Sequence, residues 1–252
     1  MTSKTEIFAH RGANKVAPEN TLPAFDAALS MGVDGIELDV HCSRDGQLMV
    51  IHDFTLDRTT NATGSIGERS AAELALLDNG SYFDPTFAET GVPTLQQVVD
   101  LVNGRVRLNV EIKTYDPMGG DQAEPLAALI REKRLYDQVI VSSFNPVALI
   151  KMRWIDPDIP LGLLHAQPLP DYLQQAWFSP IIAPRALHPG HTLIDESYMQ
   201  WAGELGFAVN TWTVNEPDDA RRLAKLGTDV IITDMPDVIR DSIYSPSHAG
   251  AG

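Results

Sequence analysis

Short apolar runs rich in β-forming residues alternate with longer amphipathic stretches along most of this chain. Strands separated by helices pair in parallel and need helices on their faces, so the alternation narrows the choice to an α/β fold. The pattern predicts strands near residues 6–10, 34–40, 107–113, 138–143, 160–164, 182–187, 207–213 and 229–233. One helix is expected over 18–32, opening on Pro18, Glu19 and Asn20 and closing at Gly32. Another is expected over 94–104, with Thr94 as N-cap, Gln97 at the capping-box position and Gly104 after its end. The stretches 124–134, 145–155, 195–206 and 216–227 follow the same logic, with Asn145, Asp195 and Asn215 as candidate caps. Eight strands with intervening helices suggest a parallel sheet closed into a barrel, and 252 residues suit one. An open doubly wound sheet is the alternative. Two features favour the barrel: ionisable residues follow several different strands, and no G-x-G-x-x-G follows the first.

One stretch interrupts the alternation. QLMVIHD reads as a strand antiparallel to ELDV through the turn at Asp45-Gly46, and the remainder of 46–93 as a loop-rich insertion with a short helix at SAAELALLD. Placed after a strand that carries charged groups, an insertion forms either part of a binding mouth or a plain surface cap. The expected organisation is one domain over 1–252, with this insertion and a disordered tail near 245–252. The first residues have no apolar core of signal-peptide length, and no apolar run approaches the roughly 18 residues of a membrane span, so a cytoplasmic protein without membrane insertion is expected. The single cysteine, Cys42, excludes an intrachain disulfide and reads as a small buried thiol.

The chemistry-bearing residues sit in three apolar segments: IFAHRG (7–12), GIELDVHCSRDGQLMVIHD (35–53) and RLNVEIK (107–113). Glu37 and Asp39, spaced i, i+2 on a strand, share one face about 7 Å apart. Glu111, followed by Lys113, repeats the pattern. Carboxylates on apolar strands are costly unless paired or metal-bound. Three of them suit a hard divalent cation, Mg²⁺ or Ca²⁺, better than zinc, since no thiolate accompanies them. The alternative is a salt-bridge network in which Arg11 and Lys113 pair the acids. His10 and His52 each follow an apolar strand, and two imidazoles beside such carboxylates suit the base and the acid of phosphodiester hydrolysis. Arg11 can hold a phosphate oxygen bidentately, Lys113 can add a point charge, and Trp212 can cover the apolar side of a small polyol or simply pack the core. His165, His188 and His191 lack carboxylate company and read as structural. The net charge of −15 argues against nucleic acid or an anionic membrane as partner, and means that an anionic substrate needs local cations.

HRG at 10–12, PENT at 18–21, ELD at 37–39, DG at 45–46, HD at 52–53, DRTT at 57–60, PTL at 93–95, EIK at 111–113, SSF at 142–144, WTVN at 212–215 and TDMP at 233–236 occur in order over nearly the whole chain. In these motifs the chain resembles the glycerophosphodiester phosphodiesterase family. The resemblance implies a (β/α)₈ TIM barrel with a segment inserted after the second strand. It also implies hydrolysis of glycerophosphodiesters, such as glycerophosphocholine or glycerophosphoethanolamine, to glycerol 3-phosphate and an alcohol. By the same resemblance Glu37, Asp39 and Glu111 are the metal ligands, His10 and His52 the paired catalytic histidines, Arg11 and Lys113 the phosphate contacts and Trp212 the aromatic wall. Ser43, where the family often has threonine, and Gln97, where an acid is common, are small departures away from these positions.

The expected function is therefore metal-dependent glycerophosphodiester hydrolysis, with His10 favoured as base and His52 as acid, and with water or the glycerol 2-hydroxyl as nucleophile. A related phosphodiesterase acting on lysophospholipids or phosphoinositol head groups is a second reading, with Leu74, Leu76, Leu77, Tyr82, Phe83 and Phe87 available to line an acyl mouth. A non-catalytic phosphoester binder is a third. The alcohol, the choice of cation and the oligomeric state, a homodimer included, stay open.

Overall fold

A computed structural model describes residues 4–245; apart from Ser245, the expected tail lies outside the described residues. Its strands are β1 (Glu6–His10), β2 (Gly35–Cys42), β3 (Leu48–Val50), β4 (Arg107–Ile112), β5 (Val139–Ser143), β6 (Leu161–His165), β7 (Ala186–Pro189), β8 (Ala208–Thr211) and β9 (Val230–Thr233). β1 pairs in parallel with both β2 and β9, so all the strands except β3 close into a parallel barrel. The outer end of β2 leaves the barrel and pairs antiparallel with β3 (Val40↔Val50, Cys42↔Leu48), the hairpin expected from Asp45-Gly46. Gly46 has φ +77°, the left-handed conformation that this turn needs.

Strand register divides the side chains into two sets, because parallel partners share a face. One set faces the helices: Ile7, Ile36, Leu38, Val110, Val141, Leu163, Leu187, Val209 and Ile231 join Phe25, Val98, Leu126, Leu149, Leu223 and Ile239 in the main core. The other set faces the lumen. His10 pairs with Glu37, Glu37 with Asn109, Asp39 with Glu111, and Glu111 with Ser142. Below these polar residues Phe8, Val230 and Ile232 form an apolar floor, with Trp212 packed against it. The ring of Phe8 lies over Gly35, where a Cβ would come within 2.3 Å of it.

The helices are α1 (Leu22–Ser30), α2 (Ala71–Ala75), α3 (Leu95–Val102), α4 (Ala123–Lys133), α5 (Pro146–Ile155), α6 (Asp171–Gln174), α7 (Ser179–Ile182), α8 (Glu196–Glu204), α9 (Pro217–Leu226) and α10 (Pro236–Tyr244). Thr94 and Gln97 form the expected capping box, and Asn145 and Asp195 cap α5 and α8. Three expectations change. The helix expected from Pro18 starts only after Thr21, whose side chain accepts from Ala24 N, because Asn20 adopts φ +56° and turns its amide elsewhere. The strand expected at 182–187 lies at Ala186–Pro189, because Ile181 and Ile182 close α7 and Ala183 breaks the chain direction at φ +47°. Asn215 does not cap α9; its side chain turns back to β9. Among the described residues no helix is long and apolar enough to cross a membrane.

The insertion carries its own small core of Met49, Ile51, Leu56, Ile66, Leu74 and Val92, with α2 held by a Ser70–Glu73 capping box. Replacing Gly35 with alanine places a methyl group against the Phe8 ring. A loss of about 1–3 kcal/mol is expected, read as a lower urea midpoint at unchanged m-value. An unchanged midpoint would show that the lumen floor is loosely packed.

Candidate active site

The residues singled out in the sequence converge at the C-terminal end of the barrel strands, where parallel barrels build their sites. His10 ends β1, Glu37 and Asp39 lie on β2, Glu111 lies on β4, and Lys113 and Trp212 stand just beyond β4 and β8. His52 stands two residues past β3, so the hairpin delivers it to the barrel mouth. His10, Arg11, Glu37, His52, Glu111, Lys113 and Trp212 line one cavity of about 100 Å³, together with Asn109, Phe144, Leu164, Thr213 and Ile232. Asp39 lies beside it, 1% exposed. Trp212 donates its indole N–H to the carbonyl of His188 (2.9 Å) and meets Phe144 edge-on at 5.4 Å, giving the cavity an apolar wall.

Glu37, Asp39 and Glu111 each offer an oxygen, and the three atoms lie within 4.8 Å of one another. Burial, and then the charges of Asp39 and Glu111, push the Glu37 carboxyl well above its usual range. Burial drives Glu111 up to about 7 against the pull of Lys113, with Asp39 adding to the rise. Burial opposes ionisation of Asp39 as well, yet Lys113, Arg11 and the Asn20 amide hold it below the usual range. Lys113 Nζ lies 2.9 Å from Glu111 and 3.7 Å from Asp39, and Arg11 Nε lies 3.4 Å from Asp39. The salt-bridge reading therefore accounts for two of the acids. Glu37 has only the backbone N–H of Arg11 (3.1 Å) and the His10 ring at 3.9 Å. A cluster of buried oxygens short of positive charge fits a hard divalent cation.

Both imidazoles turn Nε2 toward the cavity and Nδ1 toward a carboxylate. His10 Nδ1 donates to Asp234 Oδ1 (2.7 Å). His52 Nδ1 donates to Asp53 Oδ1 (2.6 Å), and Lys113 Nζ donates to His52 Nε2 (3.2 Å). Burial lowers the His52 pKa, with the charge of Asp39 opposing the fall and those of Lys113 and Arg11 adding to it. Asp53 is gripped by Arg58, which also reaches Glu19 at 2.7 and 3.0 Å; Glu19 in turn receives Arg11 at 2.9 Å, and its backbone N–H donates to Tyr82 Oη at 3.1 Å. The insertion thus supplies Arg58 and Tyr82 to the charge network around the mouth. Asn20 donates to Asp39 (2.9 Å), its left-handed backbone aiming the amide inward.

Asp234, Asn14, Asn215, Asn20, Glu19, Asp53 and Arg58 were given no part in the site by the sequence, although PENT, HD, DRTT, WTVN and TDMP contain most of them. Leu74 and Leu77 pack the insertion itself, and none of the residues proposed for an acyl mouth lines the cavity. His165 and His188 are buried, their pKa values depressed by burial to about 4 and about 3. Cys42 is buried, with its thiol pushed up to about 12.

The model of the glycerophosphoryl diester phosphodiesterase family matches residues 10–238. A glycerophosphodiester phosphodiesterase of Caldanaerobacter subterraneus subsp. tengcongensis is 37% identical over 238 residues, covering 94% of this chain and 96% of its own. The structure of glycerophosphodiester phosphodiesterase from Agrobacterium tumefaciens superposes with a TM-score of 0.81 at 31% identity, covering 93% of this chain and 98% of that one. An Oleispira antarctica phosphodiesterase in complex with the product sn-glycerol-3-phosphate superposes with a TM-score of 0.84 at 28% identity, covering 96% and 98%.

Raised carboxyl pKa values mean that the acid cluster retains protons near neutral pH until a cation displaces them. Titrating Mg²⁺ into the protein at pH 6.5 is expected to release protons, seen in calorimetry as a heat that varies with the buffer's ionisation enthalpy. Affinity should rise with pH through about 7. Glu111→Gln should weaken Mg²⁺ binding by at least about 10-fold with the fold kept. An unchanged titration would remove Glu111 from the ligand set.

Proposed function

The chain belongs to the glycerophosphoryl diester phosphodiesterase family and is a glycerophosphodiester phosphodiesterase, and we propose that it cleaves diesters such as glycerophosphocholine or glycerophosphoethanolamine to glycerol 3-phosphate and the free alcohol by acid–base catalysis between His10 and His52. The observation that carries this reading is that both imidazoles present Nε2 to one cavity, beside three converging carboxylates. Glu37, Asp39 and Glu111 would hold the divalent cation, Mg²⁺ or Ca²⁺. When bound, the cation supplies Lewis-acid polarisation of the phosphoryl group. Arg11 and Lys113 face the same space and offset the repulsion that a chain of net charge −15 exerts on an anionic substrate. Trp212, Phe144 and Leu164 offer the glycerol carbons an apolar wall that also excludes water.

The surroundings of the two histidines support the opposite assignment from the one favoured by the sequence. His52 Nε2 accepts from Lys113, so it carries a lone pair, and burial keeps the ring neutral. We assign it as the base that removes the nucleophile's proton. His10 is held by Asp234 at Nδ1 and has no cation against Nε2, which turns to the cavity with the Glu37 carboxyl 3.9 Å away. We assign it as the acid that protonates the leaving alkoxide from Nε2.

Release of glycerol 3-phosphate from a panel of glycerophosphodiesters tests the activity; no release from any member would overturn the reading. In a folded His52→Ala protein kcat should fall about 10²–10⁴-fold, and near-wild-type turnover would take His52 out of the mechanism. Phosphorus NMR during turnover separates the two nucleophiles. Attack by the glycerol 2-hydroxyl requires a transient cyclic phosphate, and attack by water excludes one.

A further inference from the structure

We propose that Asp234 is the positioning residue of His10: by accepting from Nδ1–H it holds the ring in the orientation that turns Nε2, the atom that passes the proton, toward the cavity. This rests on the reading above that His10 is the general acid. The placement follows from topology. β1 and β9 are neighbours in the barrel with Ala9 opposite Thr233, so the residue after β9 stands beside the histidine that ends β1. The contact closes across a sequence separation of 224 residues.

The carboxylate is clamped by amides from two further loops. Oδ1 accepts from His10 Nδ1 (2.7 Å) and Asn14 Nδ2 (2.6 Å), and Oδ2 accepts from Asn215 Nδ2 (2.8 Å). Asn14 Nδ2 also donates to the His10 carbonyl (2.9 Å). The Asn215 carbonyl accepts from the backbone N–H of Asp234 (3.0 Å) and from the Thr233 hydroxyl (3.1 Å). Asn14 and Asn215 therefore fix Asp234 from both sides, and Asp234 fixes the imidazole. A helix-capping role is excluded, since no side chain caps the first turn of α10. A surface ion pair does not explain the arrangement either: Lys15 lies 3.7 Å from Oδ2 and is 58% exposed, whereas Asp234 is 15% exposed.

The two Asp–His pairs differ. Asp53 shares its charge with the guanidinium of Arg58, whereas Asp234 is held by neutral amides, with only the outlying Lys15 as a cation. Asp234 consequently keeps its charge for His10. Burial works against its ionisation, but the donors from His10, Asn14 and Asn215 hold its carboxyl far below the usual range. The step balances without a proton on Asp234. The Nε2–H bond of His10 breaks, the O–H bond of the departing alcohol forms, and Nδ1–H stays on the ring against an unchanged carboxylate.

Asp234→Asn keeps the shape and removes the charge. With glycerophosphocholine and saturating Mg²⁺, the expected result is a fall in kcat on the order of 10²-fold with KM within about 2-fold, in a protein of unchanged circular dichroism. Added to His10→Ala, the same substitution should cost less than about 2-fold more, because the residue acts only through that ring. Asp234→Glu should recover part of kcat. Nitrogen-15 NMR of the unmutated protein gives an arm that needs no variant: His10 Nδ1 should be protonated. An unprotonated Nδ1, a near-wild-type kcat in Asp234→Asn, or a loss confined to KM would each overturn the inference. Full activity in His10→Ala would overturn it too, by removing the acid it serves, and that result is distinct from an inactive His10→Ala beside an active Asp234→Asn.

Discussion

Mutual repulsion of three buried carboxylates is the constraint around which the rest of the structure is arranged. Parallel register sets Asp39 against Glu111, and the two-residue period of β2 puts Glu37 on the same lumenal face. Two are almost fully buried, at 3% and 1% exposure for Glu37 and Asp39. No packing of apolar side chains stabilises such a cluster; it needs positive charge. The fold supplies Lys113, shared between Glu111 and Asp39, and Arg11, shared between Asp39 and Glu19. What remains is a site whose ionisation is incomplete without a cation. The same shortfall fits the cluster to a metal ion, and it ties the barrel's strand register to the proposed chemistry.

Around that centre the charged groups alternate in sign from one element to the next. Arg11 joins Asp39 to Glu19, Arg58 joins Glu19 to Asp53, and Asp53 orients His52. The chain of contacts begins on β2, passes through the loop after β1 and ends in the insertion, so the insertion is part of the mouth. Its own core holds it rigid enough to carry Arg58 and Tyr82. On the far side of the cavity the charge gives way to Trp212, Phe144, Leu164 and Ile232. The cavity thus offers an ionic surface on one side and a carbon-rich one on the other.

The barrel was legible because its two kinds of face leave different marks. The run Ile36, Leu38, Val40 alternating with Glu37 and Asp39 states both the strand and the shared face of the acids. Asp234 was not legible in this way, since its partner is joined to it only by closure of the barrel between the first and last strands. Asn215 looked like a helix cap because it precedes Glu216-Pro217, but the nearer unpaired groups lay on β9. The strand expected at 182–187 failed because Ile181 and Ile182 carry β-branched side chains that Pro184 and the left-handed Ala183 separate from the true strand. Local propensity was right about burial there, since Ile182 is fully buried, and wrong about the backbone.

The decisive question is whether the acid cluster closes around a single ion next to the two imidazoles. Anomalous diffraction from crystals soaked in Mn²⁺ tests it most directly. One strong peak is expected, contacted by oxygens of Glu37, Asp39 and Glu111, with His10 and His52 on the cavity side of it. Carboxylates that stay on Arg11 and Lys113 with no peak between them, or a peak elsewhere on this acidic surface, would contradict it.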